Sequence, residues 1–299
     1  MNSLKVFIII LNWNGWNLTK RCLDSLDNLN YDNYKIIVVD NGSKKLEKQK
    51  IKDSEKDFIL VENQSNLGFA GGNNEGVKYA LKKGADYVLL LNNDAICDDK
   101  NFLKKMIEIF EEEKNTGIIG PKIYFPDKKT IWFGGGKLNW LKTKGYHLNY
   151  GKKNINDKIK EVDYITGCCF LIKKETIRDI GLMQDDYFLY YEDADWCLRA
   201  KKAGYKCVYN PEAYILHEAS SSAKEFSDKY IYYHSRNALM LAWRHNNMFK
   251  KTLVLLFSFW KLAKQSVKLI FDYKRRWAKL ITKGILDFYF KKYGKYKNS

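Results

Sequence analysis

The six cysteines of this chain (Cys22, Cys97, Cys168, Cys169, Cys197 and Cys207) form no C-x-x-C pair and have no clustered histidine partner. That argues against a zinc or iron–sulfur site and fits a reduced, cytosolic setting. Long apolar runs are missing too. The stretch over residues 6–11 is too short for a signal-peptide core, and the one over 252–260 is too short to span a bilayer, so neither secretion nor a transmembrane helix is predicted. Acidic residues are outnumbered, 35 against 52 Lys and Arg, for a net charge of +17. What is present is a core: 45% hydrophobic and 15% aromatic residues over 299 positions. This suits one large domain, or one domain with an appendage, and excludes disordered, collagen-like and disulfide-scaffold classes.

The charge is unevenly placed. Residues 249–299 carry 14 Lys or Arg against Asp272 and Asp287, +12 of the total, leaving +5 on the first 248 residues. The shift places a boundary within 225–248, and we divide the chain into a catalytic unit over 1–225 and a helical, basic-aromatic tail over 226–299. Trp, Phe and Leu alternate with the tail's cations at helical spacing, as an interfacial helix on anionic lipid requires. A helical cap packed on the catalytic unit, with a solvated basic face, would look the same. Phosphate backbones also recruit Lys and Arg, but the tail has no recognised nucleic-acid motif and is apolar between its charges, so no nucleic-acid partner is expected.

The remainder alternates strand and helix. Strands are predicted over 6–11, 35–39, 58–61 and 87–91, and helices over 18–29, 70–83 and 101–114, an order that implies a parallel sheet. Such sheets bind ligands at the carboxyl ends of their strands. The residues there are polar in four successive cases: Asn12-Trp13-Asn14-Gly15, Asp40-Asn41-Gly42-Ser43, Asn66-Leu67-Gly68-Phe69-Ala70-Gly71-Gly72-Asn73-Asn74, and Asn92-Asn93-Asp94. One such cluster would be ordinary turn chemistry; four along one rim mark a site. Neither G-x-G-x-x-G after the first strand nor G-x-x-x-x-G-K-[ST] occurs, so neither a nicotinamide enzyme nor a P-loop ATPase is supported.

These motifs, with Val38-Val39-Asp40-Asn41-Gly42-Ser43, Leu91-Asn92-Asn93-Asp94 and Tyr191-Glu192-Asp193-Ala194-Asp195-Trp196-Cys197-Leu198-Arg199 in that order, resemble the motif set of family 2 glycosyltransferases, in particular the rhamnosyltransferase-like branch. The likeness covers residues 4–245. It implies an α/β GT-A fold, a Rossmann-like, mostly parallel sheet flanked by helices, with a nucleotide-binding half over 1–115 and an acceptor half over 116–225. It further implies an inverting mechanism, a nucleotide diphosphate sugar donor, a glycan or lipid-linked acceptor and a divalent cation, Mn or Mg. A donor-binding or donor-hydrolysing protein on the same fold is the alternative.

Residue by residue, the resemblance makes Asp40 the base-binding position, with Asn12 and Asn41 as nearby candidates for base and ribose. Asn66, Gly68, Gly72, Asn92 and Asn93 complete the donor set. The diphosphate needs a cation as charge develops on it, and Asp94 offers a hard oxygen ligand. Asn92 stands where the family's D-x-D pattern has its first acid, so only Asp94 carries over as a ligand. His217 matches a position where relatives place a second ligand, or is an ordinary histidine after a strand.

Asp193 matches the catalytic base. It opens a helix predicted to run to Ala203, whose positive end should keep it ionised. Glu192, Trp196 and Gly167 fall to the acceptor site or just behind it, Trp196 as a surface for stacking on a sugar face or for core packing. Asp195 and Arg199, four apart, read as a surface ion pair. Cys168 and Cys169 read as core residues, and Arg236 as a phosphate contact or a structural ion pair. A peripheral location on the inner face of the cell membrane follows.

Overall fold

A computed structural model describes residues 4–113, 115–140, 144–153, 155–218, 227–271 and 274–296. The expected 225/226 boundary and Lys114, the predicted end of a helix, lie outside the described residues.

The first half runs β1 (Val6–Asn12), α1 (Trp16–Leu26), β2 (Tyr34–Asp40), α2 (Lys45–Lys52), β3 (Ile59–Glu62), α3 (Gly68–Lys82), β4 (Tyr87–Asn92), β5 (Ala95–Ile96) and α4 (Phe102–Glu112). It continues with β6 (Thr116–Tyr124), β7 (Ile131–Phe133), β8 (Gly136–Asn139), β9 (Lys144–His147), β10 (Lys160–Glu161), β11 (Cys169–Lys173), α5 (Lys174–Ile180), a 3-10 turn (Asp185–Tyr187), α6 (Glu192–Lys202) and β12 (Lys206–His217). Three helices close the chain: α7 (Asp228–His245), α8 (Met248–Ile270) and α9 (Arg275–Tyr289).

The large sheet has the order β10-β12-β6-β11-β4-β1-β2-β3. Strands β3, β2, β1 and β4 are mutually parallel, because each is followed by a helical crossover or turn that returns the chain to the same edge. Central β1 and β4 are almost wholly apolar and buried, as a strand covered on both faces must be. Beyond β4 the sheet becomes mixed: β11 runs antiparallel to β4 and β6, and β12 parallel to β6. This matches the α/β architecture expected from the strand and helix pattern.

One boundary differs in a way that matters. Helix α3 starts at Gly68, two residues before the predicted start, so Gly68 and Phe69 join Gly71, Gly72 and Asn73 in its first turns. The helix can start there because it packs tightly against the sheet: a Cβ on Gly72 would lie 2.5 Å from the Leu11 side chain.

The C-terminal helices do not form a detached appendage. Residues 238–242 of α7 are buried in the same core as the sheet, and α9 packs along α7. Helix α8 packs on α9 with an unusual face, burying Ser258 and Gln265 while Leu256, Phe259, Trp260, Val267 and Ile270 stand more than half exposed. Among the described residues no helix is long and apolar enough to cross a membrane.

Candidate active site

Strand register assembles the site. Asn12 lies beside Asp40, and Leu11 beside Asn92, so the polar ends of β1, β2 and β4 meet at one edge. Asp40 is buried there, with long contacts of 3.4 Å from Asn12 Nδ2, 3.3 Å from the Ser43 amide and 3.8 Å from Lys48 Nζ. Contacts of that length leave its lone pairs unsaturated.

Several expected donor residues also hold the rim loops together. Asn12 is fully buried, its Oδ1 accepting from Thr19 Oγ1 at 2.8 Å and its Nδ2 directed at Asp40 and Ser43. Asn41 donates to Asn66 Oδ1 and the Gly68 carbonyl, and accepts from Asn63 Nδ2 and the Leu67 amide. The Asn41 amide is fully engaged, and both amides pin the rim loops. Asn66 is held in the same way, its Oδ1 accepting the Gly68 amide at 2.8 Å. Gly68 (φ +81) is required because any Cβ would collide with the Phe188 carbonyl oxygen, and Gly72 because it packs on Leu11. Both act through packing. Asn93 Nδ2 donates to Thr19 Oγ1 at 3.2 Å, and Asn92 closes β4 half-exposed. Trp13, 46% exposed just after β1 with Lys229 above its ring, is an aromatic surface at this rim that the motif reading passed over.

The pair Asp94 and His217 comes together as expected. β5 pairs with β12 so that His217 faces Ala95, and the Glu218 amide bonds the Asp94 carbonyl at 3.0 Å. His217 Nε2 then lies 3.1 Å from Asp94 Oδ1, with the Trp132 ring 4.3 Å from the imidazole. His217 Nδ1 is buried with no hydrogen-bond partner among the described residues. One hard oxygen and one imidazole nitrogen side by side fit a divalent cation whose other ligands come from the substrate. Among the described residues no group of three or more His, Cys, Asp or Glu could hold a metal, so the protein alone supplies at most a partial coordination shell.

Asp193 sits in the first turn of α6. Its Oδ2 accepts the Gly167 amide at 2.9 Å and its Oδ1 the Ala194 amide at 2.7 Å. Gly167 immediately precedes Cys168, whose carbonyl bonds the Asn92 amide at 2.9 Å, so Asp193 is tied to the same strand end that carries Asp94. A Cβ on Gly167 would lie 2.9 Å from the Phe69 ring, leaving no room for a larger residue between α3 and Asp193. Burial raises the Asp193 carboxyl above its ordinary value against the pull of the backbone amides at Gly167 and Ala194. Desolvation outweighs the helix dipole and the amides, and a raised carboxylate is the better proton acceptor. Glu192 is 4% exposed and pushed up to about 8, first by burial and then by Asp193.

Two further corrections follow. Trp196 is fully buried, stacked on Phe170 at 5.3 Å with its Nε1 donating to the Gly181 carbonyl, so it cannot meet an acceptor sugar. Asp195 and Arg199 are not a surface pair. Asp195 is buried, receiving Arg199 Nε at 2.9 Å, His245 Nε2 at 2.8 Å and the Tyr187 hydroxyl at 3.2 Å. Burial opposes its ionisation, but the His245 bond and the Arg199 charge prevail and hold it below the usual carboxylate range. Arg236 is neither a phosphate contact nor half of an ion pair; it is fully buried among backbone carbonyls. Its polar neighbourhood inside the apolar run of α7 was the available signal. Cys168 and Cys169 are core, their thiols raised well above the ordinary value by burial.

Comparison with known proteins gives this geometry a family. The sequence profile of glycosyl transferase family 2 matches residues 7–181, more than half of the chain. The chain is 26% identical over 250 residues to the dTDP-rhamnosyl transferase RfbF of Shigella flexneri, covering 81% of this chain and 80% of that protein. It is 22% identical over 240 residues to an N-acetylglucosaminyl-diphospho-decaprenol L-rhamnosyltransferase of Mycobacterium tuberculosis, covering 73% and 78%. Among solved structures, the mannosyltransferase PcManGT from Pyrobaculum calidifontis, in complex with GDP-Man and Mn2+, superposes with a TM-score of 0.59 at 12% identity, covering 97% of this chain and 89% of that one. A mixed sheet with a polar carboxyl edge and an acid-bearing helix beside it is the GT-A fold, and the chain belongs to glycosyl transferase family 2, as a glycosyltransferase that uses a nucleotide sugar.

Proposed function

We propose that the enzyme transfers one sugar, with rhamnose the first candidate, from a nucleotide diphosphate to a glycan or lipid-linked acceptor, with inversion at the anomeric carbon. The observation that carries this reading is the tie between Asp193 and the strand end bearing Asp94, made through the Gly167 amide and the Cys168–Asn92 bond. A proton acceptor and a diphosphate-side acid are thereby linked through one short chain of hydrogen bonds. Asp193 takes the proton of the acceptor hydroxyl as its oxygen bonds to C1, and the C1–O bond to the diphosphate breaks on the opposite face. Asp94 and His217 would hold the divalent cation, which offsets the charge gathering on the departing diphosphate. Asp40 selects the base through its carboxylate. Residues 1–115 form the donor half and 116–225 the acceptor half.

The relatives named for dTDP-rhamnose transfer and for a decaprenol-linked acceptor support both substrates. So does α8. Its outward row Phe249, Leu256, Trp260 and Val267 repeats at 7, 4 and 7 residues, flanked by Lys250, Lys261, Lys264 and Lys268. Aromatics beside lysines suit an anionic bilayer surface, which supports a peripheral position on the inner face of the membrane that holds the acceptor.

Thermal stabilisation by a panel of nucleotide diphosphate sugars, with and without Mn²⁺ or Mg²⁺, tests the donor reading. A cation-dependent rise with a thymidine or uridine compound is expected; no rise with any member contradicts it. Flotation with anionic liposomes, against oligonucleotide binding at matched salt, tests the tail. Trp260→Ser should release the protein from liposomes.

A further inference from the structure

The turn leading into α6 concentrates backbone strain. Phe188, Tyr190 and Tyr191 have φ of 65°, 69° and 75°, a region bulky residues avoid. Tyr191 is also the N-cap of α6, where extended backbone is usual. Such a turn persists only if its surroundings over-determine it.

They do. Every carbonyl from 186 to 191 has a donor, and most of these donors come from the C-terminal helices. The Asp186 carbonyl accepts the Gly294 amide at 2.7 Å, Phe188 the Phe69 amide at 2.7 Å, and Tyr191 the Asp195 amide at 2.9 Å. Asn237 Nδ2 reaches the carbonyls of Tyr187, Leu189 and Tyr190 at 3.0, 2.8 and 2.9 Å. Two N–H protons thus serve three acceptors in a shared arrangement. Arg236 donates from its Nη2 to the Tyr187 carbonyl at 3.0 Å, and from its Nη1 to the carbonyls of Gly294 at 2.8 Å and Lys292 at 3.2 Å. Its Nε donates to Asn237 Oδ1 at 2.9 Å. That last bond fixes the Asn237 amide: with Oδ1 facing the guanidinium, only Nδ2 can face the carbonyls.

We propose that Arg236 and Asn237, completed by the chain end over 292–294, are positioning residues that hold the strained turn and so set the direction of Asp193. The inference rests on Asp193 being the base. A fully buried guanidinium spent on carbonyls is a poor way to gain stability, since apolar filling of the same space avoids desolvating a charge. What it supplies is a single backbone conformation at the two residues before the acids. The C-terminal helices are thereby part of the catalytic unit.

The test uses the full-length enzyme with Asn237→Asp, Asn237→Ser and Arg236→Lys. Turnover, donor affinity by calorimetry and the acid limb of the kcat/KM profile are measured below each variant's melting temperature. Asn237→Asp keeps the size but turns an oxygen toward three carbonyls, and should lower kcat about 100-fold through misplacement of the base. Asn237→Ser, with one donor left, should fall between it and wild type. Donor affinity should hold in all three while the acid limb moves. Wild-type kcat and limb in variants that merely melt earlier would overturn the proposal. If Asn237→Asp does not fold, Asn237→Ser decides the same question. Asp193→Asn, run in parallel, separates the two readings: if it turns over normally, the base assignment falls and the clamp with it. If it is dead while Asn237→Ser has wild-type kcat, only the clamp falls.

Discussion

The donor edge and the base edge are built by different means. At the ends of β1, β2 and β4 the functional acids follow directly from strand endings, and their supports lie mostly within the local rim loops: Asn12, Thr19, Asn41, Ser43 and Asn66. At the start of α6 the supports come from about 50 residues away, on α7, and from the final turn of the chain. A rim of short loops can be specified by its own residues. A strained turn of bulky aromatics cannot, and draws its geometry from the tertiary fold.

That contrast can be broken by mutation, most sharply at the base itself. Asp193→Asn should lower turnover by about 10²–10⁴-fold, the range for loss of a general base, without disturbing the donor edge; steady-state transfer assays check it. Next in size is Gly167→Ala, which sits between the two edges. The added Cβ meets the Phe69 ring at 2.9 Å, and the resulting shift of Asp193 should reduce kcat by about 10–100-fold, with a lower melting temperature from the overpacking and donor affinity retained.

On the donor side, Asp94→Ala should weaken donor binding by about 10–100-fold in the presence of Mn²⁺ and hardly at all without it. Calorimetric titration with and without the cation distinguishes this from general damage. The smallest effect concerns stability. Glu192 titrates near 8 when folded and near 4.5 when unfolded, so the folded state holds a proton that the unfolded chain releases between those values. Stability should therefore decline as pH rises from 4.5 to 8, and Glu192→Gln should flatten that decline in denaturant melts.

Much of the donor edge was legible in sequence because polar clusters after apolar strands are a local signal. Asp40, Asp94 and the α/β order were all read that way, and β-pairing then brought His217 to Asp94. The same signal does not separate roles at Asn12, Asn41, Gly68 and Gly72, since a polar or small residue at a rim can serve the loop as well as the ligand. Trp196 was misplaced because an aromatic near Asp193 can pack into the core as readily as face a sugar, and here it stacks on Phe170. The Arg236–Asn237 clamp was illegible in role: its partners are carbonyls, which every residue carries, so no pattern of side chains announces them. The outward face of α8 was foreseen in composition but not in direction, because only packing shows which side of an amphipathic helix meets the protein.

The central claim is that donor binding and proton removal are held by separate supports. Titrating nucleotide sugar and Mn²⁺ into Asp193→Asn and Asp94→Ala side by side tests it. Wild-type donor affinity in an inactive Asp193→Asn, with lost cation-dependent affinity in Asp94→Ala, is the predicted result. Equal loss of affinity in both variants would contradict it.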